Sequence, residues 1–184
     1  YALLSTGVIY DSPKYSYRGL LIDVSRHFRT MEELKKTIRL MSFYKLNFLH
    51  LHLTDDQGWR IEVKKYPKLT NGGNIRKATQ LNRKGKTDSK EYGKGLFYTQ
   101  DELKSLVNYA KDFGIEIVPE IDVPGHLLGA ISRYSELSCS KKPVDVRVEW
   151  GVEKIIACAS NPKAVEFIKA GYCLYILGDA AHPE

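Results

Sequence analysis

The chain has 184 residues, of which 43% are hydrophobic and 27% charged, with a formal net charge of +6 at pH 7. This composition is ordinary for a globular domain with a hydrophobic core, and it excludes collagen-like, coiled-coil and disordered classes. No stretch reaches the ~18 apolar residues of a membrane-spanning helix. Much of the positive excess lies in residues 76–94, which we interpret as a solvated surface loop because no nucleic-acid motif accompanies it.

The first 121 residues alternate between short apolar runs, typical of buried strands, and amphipathic segments. Each amphipathic segment opens with a capping box, in which a Thr and a Glu three residues later satisfy each other's backbone amides. The boxes are Thr30 with Glu33 and Thr99 with Glu102, and Gly114 suits a left-handed residue after the second helix. The predicted strands are residues 18–25, 47–53 and 115–121, and the predicted helices are residues 31–44 and a segment that begins after Thr99.

The C-terminal part predicts one more helix and one more strand. Asn161 and Pro162 are typical of a helix cap and first position. Val165 and Ile168 are expected to face the core, and residues 173–177 form a candidate fourth strand.

Two segments between these elements are irregular. Residues 54–98 are long for a loop in a compact domain, and loops of that length are often functional. Cys139 and Cys158 flank a second loop-like segment, and the sequence leaves open whether they are joined. A bond between them would stabilise the chain by about 3 kcal/mol through loop closure.

The alternation of strands and helices predicts an α/β fold with a parallel sheet. Either a (β/α)₈ barrel or an open doubly wound sheet fits the order of elements. Polar residues follow the carboxyl end of every predicted strand, as active-site residues do in barrels, so we favour the barrel. These residues are Asp23, Arg26 and His27, then Asp55 and Asp56, then Asp122 and His126, and finally Asp179.

A whole barrel takes ~250 residues. We therefore expect a partial (β/α)₈ TIM barrel comprising about the first four β/α units. The expected domain is an incomplete catalytic barrel over residues 1–184, with residues 1–17 as a lead-in segment and residues 18–184 as barrel units.

Three groups of residues could carry chemistry. His50 and His52 share one side of a strand and could begin a metal site with His126, although histidines packed inside the barrel are the favoured interpretation. Asp55 and Asp56 could orient a sugar hydroxyl or cap a turn. His126, on a Pro-Gly-His turn, could be an acid/base or relay group or could stabilise the turn.

Three segments resemble the catalytic barrel of family 20 glycoside hydrolases, the β-N-acetylhexosaminidases. They are YRGLLIDVSRHF at residues 17–28, KLNFLHLHLTDDQGWR at 45–60 and GIEIVPEIDVPGH at 114–126. The resemblance implies a TIM-barrel enzyme that removes terminal N-acetylhexosamine from β-linked glycans. Its members retain the anomeric configuration by using the substrate's own acetamido oxygen as nucleophile.

The resemblance also implies roles for individual residues. Arg18 would bind sugar hydroxyls, with Asp122 and Asp56 as further substrate-binding residues. Asp55 and His126 would support the catalytic acid through a hydrogen-bonded relay. Asp179 would orient the acetamido group.

The family's Asp-Glu pair is only half present, because Ala180 follows Asp179 where the acid Glu is expected. We therefore expect the chain to be truncated before the catalytic Glu. The first alternative is an inactive sugar-binding remnant. The second, less favoured, is a metal-dependent TIM-barrel hydrolase.

The resemblance implies a carbohydrate substrate. We expect no cofactor and no metal, and the composition predicts no nucleic-acid partner and no membrane span. It also implies a secreted, periplasmic or lysosomal location. The oligomeric state does not follow from the sequence.

Overall fold

A computed structural model describes residues 7–172, with side-chain positions up to residue 170. Its centre is a sheet of three parallel strands, β1 (Gly19–Asp23), β2 (Phe48–Asp55) and β4 (Glu116–Ile121). β2 lies between the other two, and a two-residue strand β3 (Gly58–Trp59) folds back antiparallel against its end. Each strand lies within two residues of its predicted position, and only β3 was not expected.

Helices connect the parallel strands. α1 (Met31–Phe43) joins β1 to β2 and α2 (Gln100–Asp112) precedes β4, and both begin at the predicted capping boxes. Gly114 has the expected left-handed backbone, with φ of 67°. The buried faces match the predicted periodicity: Leu34, Ile38 and Met41 in α1, and Leu103, Leu106, Val107 and Ala110 in α2.

The last described helix, α4 (Pro162–Tyr172), buries a face that matches the prediction only in part, because Ile168 packs against the core as expected but Val165 does not. Asn161 caps it, since its side-chain oxygen accepts from the Lys163 amide at 3.1 Å. Val165 was expected in the core but is exposed, while Ala164 and Phe167 are buried. Phe167 packs in an aromatic cluster with Trp59 and Tyr66, with ring centroids 5.7 and 4.9 Å away. Because Ala164 is small and Phe167 follows three residues later, this stripe was a weaker sequence signal than Val165 with Ile168.

The long segment after β3 is more ordered than predicted. Its middle, residues 81–86, is exposed as expected of a surface loop. Its ends are not, because Arg60 and Arg76 are buried and their guanidinium carbons lie 5.5 and 4.2 Å from the centroid of the Tyr92 ring. The Arg60 guanidinium donates to the carbonyls of Ser25 and Asn74 at 2.8–3.0 Å. The interpretation of residues 76–94 as a solvated loop is therefore wrong for Arg76, Thr79 and Gln80, which are buried. Arg60 and Arg76 fix the segment to the turn after β1 through the carbonyls of Ser25 and Arg26.

Cys139 and Cys158 form a disulfide, which answers the question that the sequence left open. The loop between them contains no helix or strand of its own and follows the short helix α3 (Leu128–Ile131) and a 3₁₀ turn at Ser135–Leu137. In the part of the chain that the structure describes, no helix is long and apolar enough to cross a membrane. The candidate fourth strand, residues 173–177, lies outside the described residues.

Candidate active site

Polar side chains from all three parallel strands meet at the carboxyl end of the sheet. Asp23 ends β1, Asp55 ends β2, and Asp122 follows β4 directly. In a barrel this is the end where binding and catalytic residues collect. The grouping expected from the sequence is therefore present in space.

A bulge in β2 turns the side chains of His52 and Asp55 to the same side of the strand. Side chains three apart on a regular strand point to opposite faces. The pairing of β2 with β4 shifts between His52 and Thr54, so that Leu53 is an extra residue. The His52 imidazole and the Asp55 carboxylate consequently face each other, with Nε2 and Oδ2 2.8 Å apart. The bulge aims a site residue, as bulges beside active sites commonly do.

Asp55 is the hub of the cluster and is almost fully buried. Its Oδ2 contacts Arg26 Nη2 at 2.5 Å and His52 Nε2 at 2.8 Å. Its Oδ1 accepts from the Asp56 amide at 2.6 Å and lies 3.1 Å from His126 Nδ1. Burial alone would raise the pKa of Asp55, but these hydrogen bonds and the Arg26 charge outweigh it and lower the pKa. Asp55 is therefore a carboxylate with each oxygen assigned to different partners.

Arg26, in the turn after β1, has its guanidinium held from three sides. Its Nε donates to Gln57 Oε1 at 2.7 Å, Nη1 to Asp23 Oδ2 at 2.9 Å, and Nη2 pairs with Asp55. Nη1 also lies 3.2 Å from His52 Nε2. A guanidinium has five N–H donors, so one, the second N–H of Nη2, has no neighbouring side chain to face within the described residues. A fork fixed in this way is suited to bind ligand hydroxyls or carboxylates. The sequence placed Arg26 at the strand end but gave it no role.

Arg18, predicted to bind substrate, does not lie in this cluster, and its position favours a structural role. It precedes β1 and therefore lies at the opposite, amino end of the sheet. Its guanidinium donates to the main-chain carbonyls of Lys45 and Tyr15 at 2.6 and 2.5 Å. Arg18 and Arg26 flank the same motif, RGLLIDVSR, and Arg26 is the one that follows the carboxyl end of the strand. Arg18 holds the lead-in segment and the α1–β2 turn together.

His50 and His52 lie on the inner side of β2 as a packed and hydrogen-bonded pair, the interpretation favoured from the sequence. His50 Nε2 lies 2.7 Å from Glu120 Oε2, and His52 Nδ1 lies 3.0 Å from Glu120 Oε1. Burial alone would lower the pKa of His52, but hydrogen bonds to Asp55 and Glu120 raise it to about 9. Glu120 itself was missed, because it lies inside the apolar run IEIVPEI of β4.

His126 reaches Asp55 from a strained turn. Its backbone has φ of 52°, a left-handed conformation that a residue with a side chain rarely adopts. Strain of this kind persists where the surroundings enforce it and is common at functional sites. The imidazole is 36% exposed, so that Nδ1 faces Asp55 while the ring remains open to the space above the sheet.

The other predicted site residues differ in position. Asp56 is fully buried, and its Oδ1 accepts from the Leu128 amide at 3.1 Å. Its Oδ2 has no hydrogen-bond partner among the described residues, and burial raises its pKa. Asp122 is half-buried and its amide donates to Thr54 Oγ1 at 3.2 Å. Asp179 lies outside the described residues.

Two overlapping groups have ligand atoms close enough to hold a cation: His52, Asp55 and Asp122, and Asp55, Asp56 and His126. Both depend on Asp55. One Asp55 oxygen already contacts the Arg26 guanidinium and His52, and a further cation there would meet the positive charge of Arg26. The donor set therefore fits an internal ion-pair network better than a metal.

The disulfide loop forms the rim of the site. The Arg147 amide donates to the Asp56 carbonyl at 2.9 Å, and Gln57 Nε2 donates to the Glu149 carbonyl at 2.8 Å. Gln57 thus connects the rim to Arg26, because its other side-chain atom accepts from the guanidinium. Trp150 is half-exposed on this rim.

Comparison with known proteins identifies the family. The model of the glycosyl hydrolase family 20 catalytic domain matches residues 15–172. The chain belongs to glycosyl hydrolase family 20. A β-hexosaminidase of Porphyromonas gingivalis is 41% identical over 160 residues, which cover 87% of this chain and 19% of that protein. One of Akkermansia muciniphila is 41% identical over 88% of this chain and 31% of its own length.

Solved structures agree. A β-N-acetylhexosaminidase crystal structure matches with a TM-score of 0.79 and 38% identity over 90% of this chain and 34% of that one. A mutant Streptomyces plicatus β-hexosaminidase in complex with its product GlcNAc matches with a TM-score of 0.73 and 35% identity, over 88% and 30%. The prediction of a partial TIM barrel is confirmed. The chain spans about a fifth to a third of the relatives that it matches.

Proposed function

We propose that this chain supplies the sugar-binding and proton-relay side of the active site of a β-N-acetylhexosaminidase, which removes terminal N-acetylhexosamine from β-linked glycans. The family membership supports the substrate class. The observation that carries the proposal is the geometry around Asp55, which joins a fixed guanidinium, Arg26, to a partly open imidazole, His126.

Arg26 is the proposed sugar-binding residue. The neighbours Asp23, Gln57 and Asp55 hold its plane, so binding a hydroxyl would cost little side-chain entropy. The remaining N–H of Nη2 would donate to a hydroxyl of the non-reducing-end sugar. Asp122 is half-buried, with a carboxylate oxygen within 4.8 Å of Asp55, and is a proposed acceptor for a further hydroxyl.

His126 is the proposed relay residue. Asp55 Oδ1 accepts from Nδ1, which leaves Nε2 for a group on the open side of the ring. The imidazole would hydrogen-bond to a carboxylic acid placed there and shift the pKa of that acid. General acid catalysis at a glycosidic bond requires such an adjusted pKa. We propose that this acid works with the acetamido group of the substrate as nucleophile, so that the product retains its configuration. Asp179 remains the proposed acetamido-orienting residue.

A chimera tests this function. Residues 15–172 would replace the matching segment in the Porphyromonas gingivalis relative. The chimera is expected to release the aryl group from an aryl β-N-acetylglucosaminide but not from the matching β-glucoside, which lacks the acetamido nucleophile. Proton NMR should show the β-anomer of N-acetylglucosamine as the first product. A folded chimera that cleaves neither substrate, or both equally, contradicts the proposal.

A further inference from the structure

The described residues contain a second charged layer beneath the proposed relay, deeper in the barrel. It consists of His52 on β2 and Glu120 on β4, with His50 on the far side of Glu120. His52 is buried, with only 8% of its side chain exposed, so it is not positioned to touch a ligand. Nevertheless both ring nitrogens have carboxylate partners: Glu120 Oε1 at 3.0 Å from Nδ1 and Asp55 Oδ2 at 2.8 Å from Nε2.

An imidazole between two carboxylates can satisfy both only as the imidazolium, because the neutral ring has a single N–H. The other groups facing it are Asp23 and Arg26 on the β1 side and Asp122 on the β4 side. Arg26 Nη1 lies 3.2 Å from His52 Nε2, and its repulsion is offset by Asp23 and Asp55, which both pair with that guanidinium. The raised pKa of His52, about 9, agrees with a ring that is charged at neutral pH.

We propose that His52 is a positioning residue whose imidazolium fixes the orientation of the Asp55 carboxylate and, through it, the tautomer of His126. Because His52 and Arg26 both hold Oδ2, Oδ1 is the oxygen that faces His126 Nδ1. The proton of His126 is thereby kept on Nδ1 and its Nε2 is kept as the reactive nitrogen. This inference rests on the proposed function only for its catalytic consequence.

The test is NMR of the 184-residue chain labelled with ¹⁵N-histidine, recorded between pH 5.5 and 10. We expect the His52 nitrogens to keep the shifts of an imidazolium through pH 8, and His126 to be an Nδ1–H tautomer once it is neutral. In His52→Gln the His126 signals should move to those of a tautomer mixture. The matched control is His50→Gln, which loses a contact to the same Glu120 but none to Asp55 and should leave His126 unchanged.

A second variant is Glu120→Gln, in which the new side chain has the same shape as glutamate. It removes one of the two anions, and the pKa of His52 should fall by at least one unit. A neutral His52 at pH 7 in the folded wild-type chain would overturn the proposal, and so would an unchanged His126 tautomer in folded His52→Gln. None of these readouts requires hydrolysis, so they stand apart from failure of the chimera. If the chimera is active, His52→Gln should lower its kcat by about tenfold or more, a typical share of acid–base catalysis, with little change in KM.

Discussion

Removal of the disulfide should destabilise the chain by about 3 kcal/mol. The bond joins positions 19 residues apart, which closes a loop of 20 residues including both cysteines. In the chain-entropy model such a loop costs the unfolded state about 11 cal/mol/K, or about 3.3 kcal/mol at 25 °C. No helix or strand lies within the loop, so no regular structure there would offset the lost constraint. The rim contacts of Arg147 and Glu149 to Asp56 and Gln57 depend on the same loop.

The perturbation is the double variant Cys139→Ser with Cys158→Ser, measured by urea unfolding with tryptophan fluorescence. Trp59 is buried in the core and reports global unfolding. The free energy of unfolding should fall by about 3 kcal/mol and the Tm by roughly 6–12 °C, given 2–4 °C per kcal/mol for chains of this size. Reduction of the wild-type protein should give the same loss. A loss below about 1 kcal/mol in both experiments would show that the disulfide does not stabilise the fold by restricting the unfolded chain.

Three further predictions concern stability. Phe167→Ala should cost about 3–5 kcal/mol in urea unfolding because the ring is buried among Trp59 and Tyr66, whereas Val165→Ala, on the exposed side of α4, should cost about 0.5 kcal/mol or less; equal costs would contradict the observed orientation of the helix. His126→Gly should be more stable than His126→Ala by about 1 kcal/mol, because only glycine adopts the left-handed backbone freely, and a reversed order would place the residue in an ordinary conformation. The folded-state pKa of His52 is raised, so its contribution is complete below the unfolded value of about 6.5 and is lost as pH rises through about 9. The stability difference between wild type and His52→Gln should therefore shrink between pH 7 and 10, and a constant difference across that range would count against a charged His52.

Local patterns predicted most of the fold. Capping boxes and apolar spacing located α1 and α2, since these signals depend on neighbours in sequence. Three features depend on contacts between distant segments and were not predicted. They are the bulge at Leu53, the burial of Arg60 and Arg76 against Tyr92, and the packing of Phe167 in α4 against Trp59.

The site was predicted in outline but not in its assignments. Asp55 and His126 follow strand ends, and that position was enough to group them. The sequence already placed Arg26 at the carboxyl end of the first strand, but the resemblance assigned the substrate role to Arg18, which borders the other end of the same apolar run. Glu120 could be recognised as a site residue only from the pairing of β4 with β2, which sets Glu120 beside His52.

In the proposed function, sugar binding depends on Arg26, at the carboxyl end of the sheet, and not on Arg18 at the amino end. The direct measurement is kcat/KM of the chimera for an aryl β-N-acetylglucosaminide, with Arg26→Lys and Arg18→Lys as a matched pair. Lysine keeps the charge but not the fixed fork, so Arg26→Lys should lower kcat/KM by about 100-fold or more, equivalent to roughly 2.7 kcal/mol or more of transition-state stabilisation. Arg18→Lys should leave kcat/KM within about twofold, the scale of a substitution outside the site. The opposite ranking, with Arg18→Lys lowering kcat/KM more than Arg26→Lys in a fully folded chimera, would contradict sugar binding by Arg26.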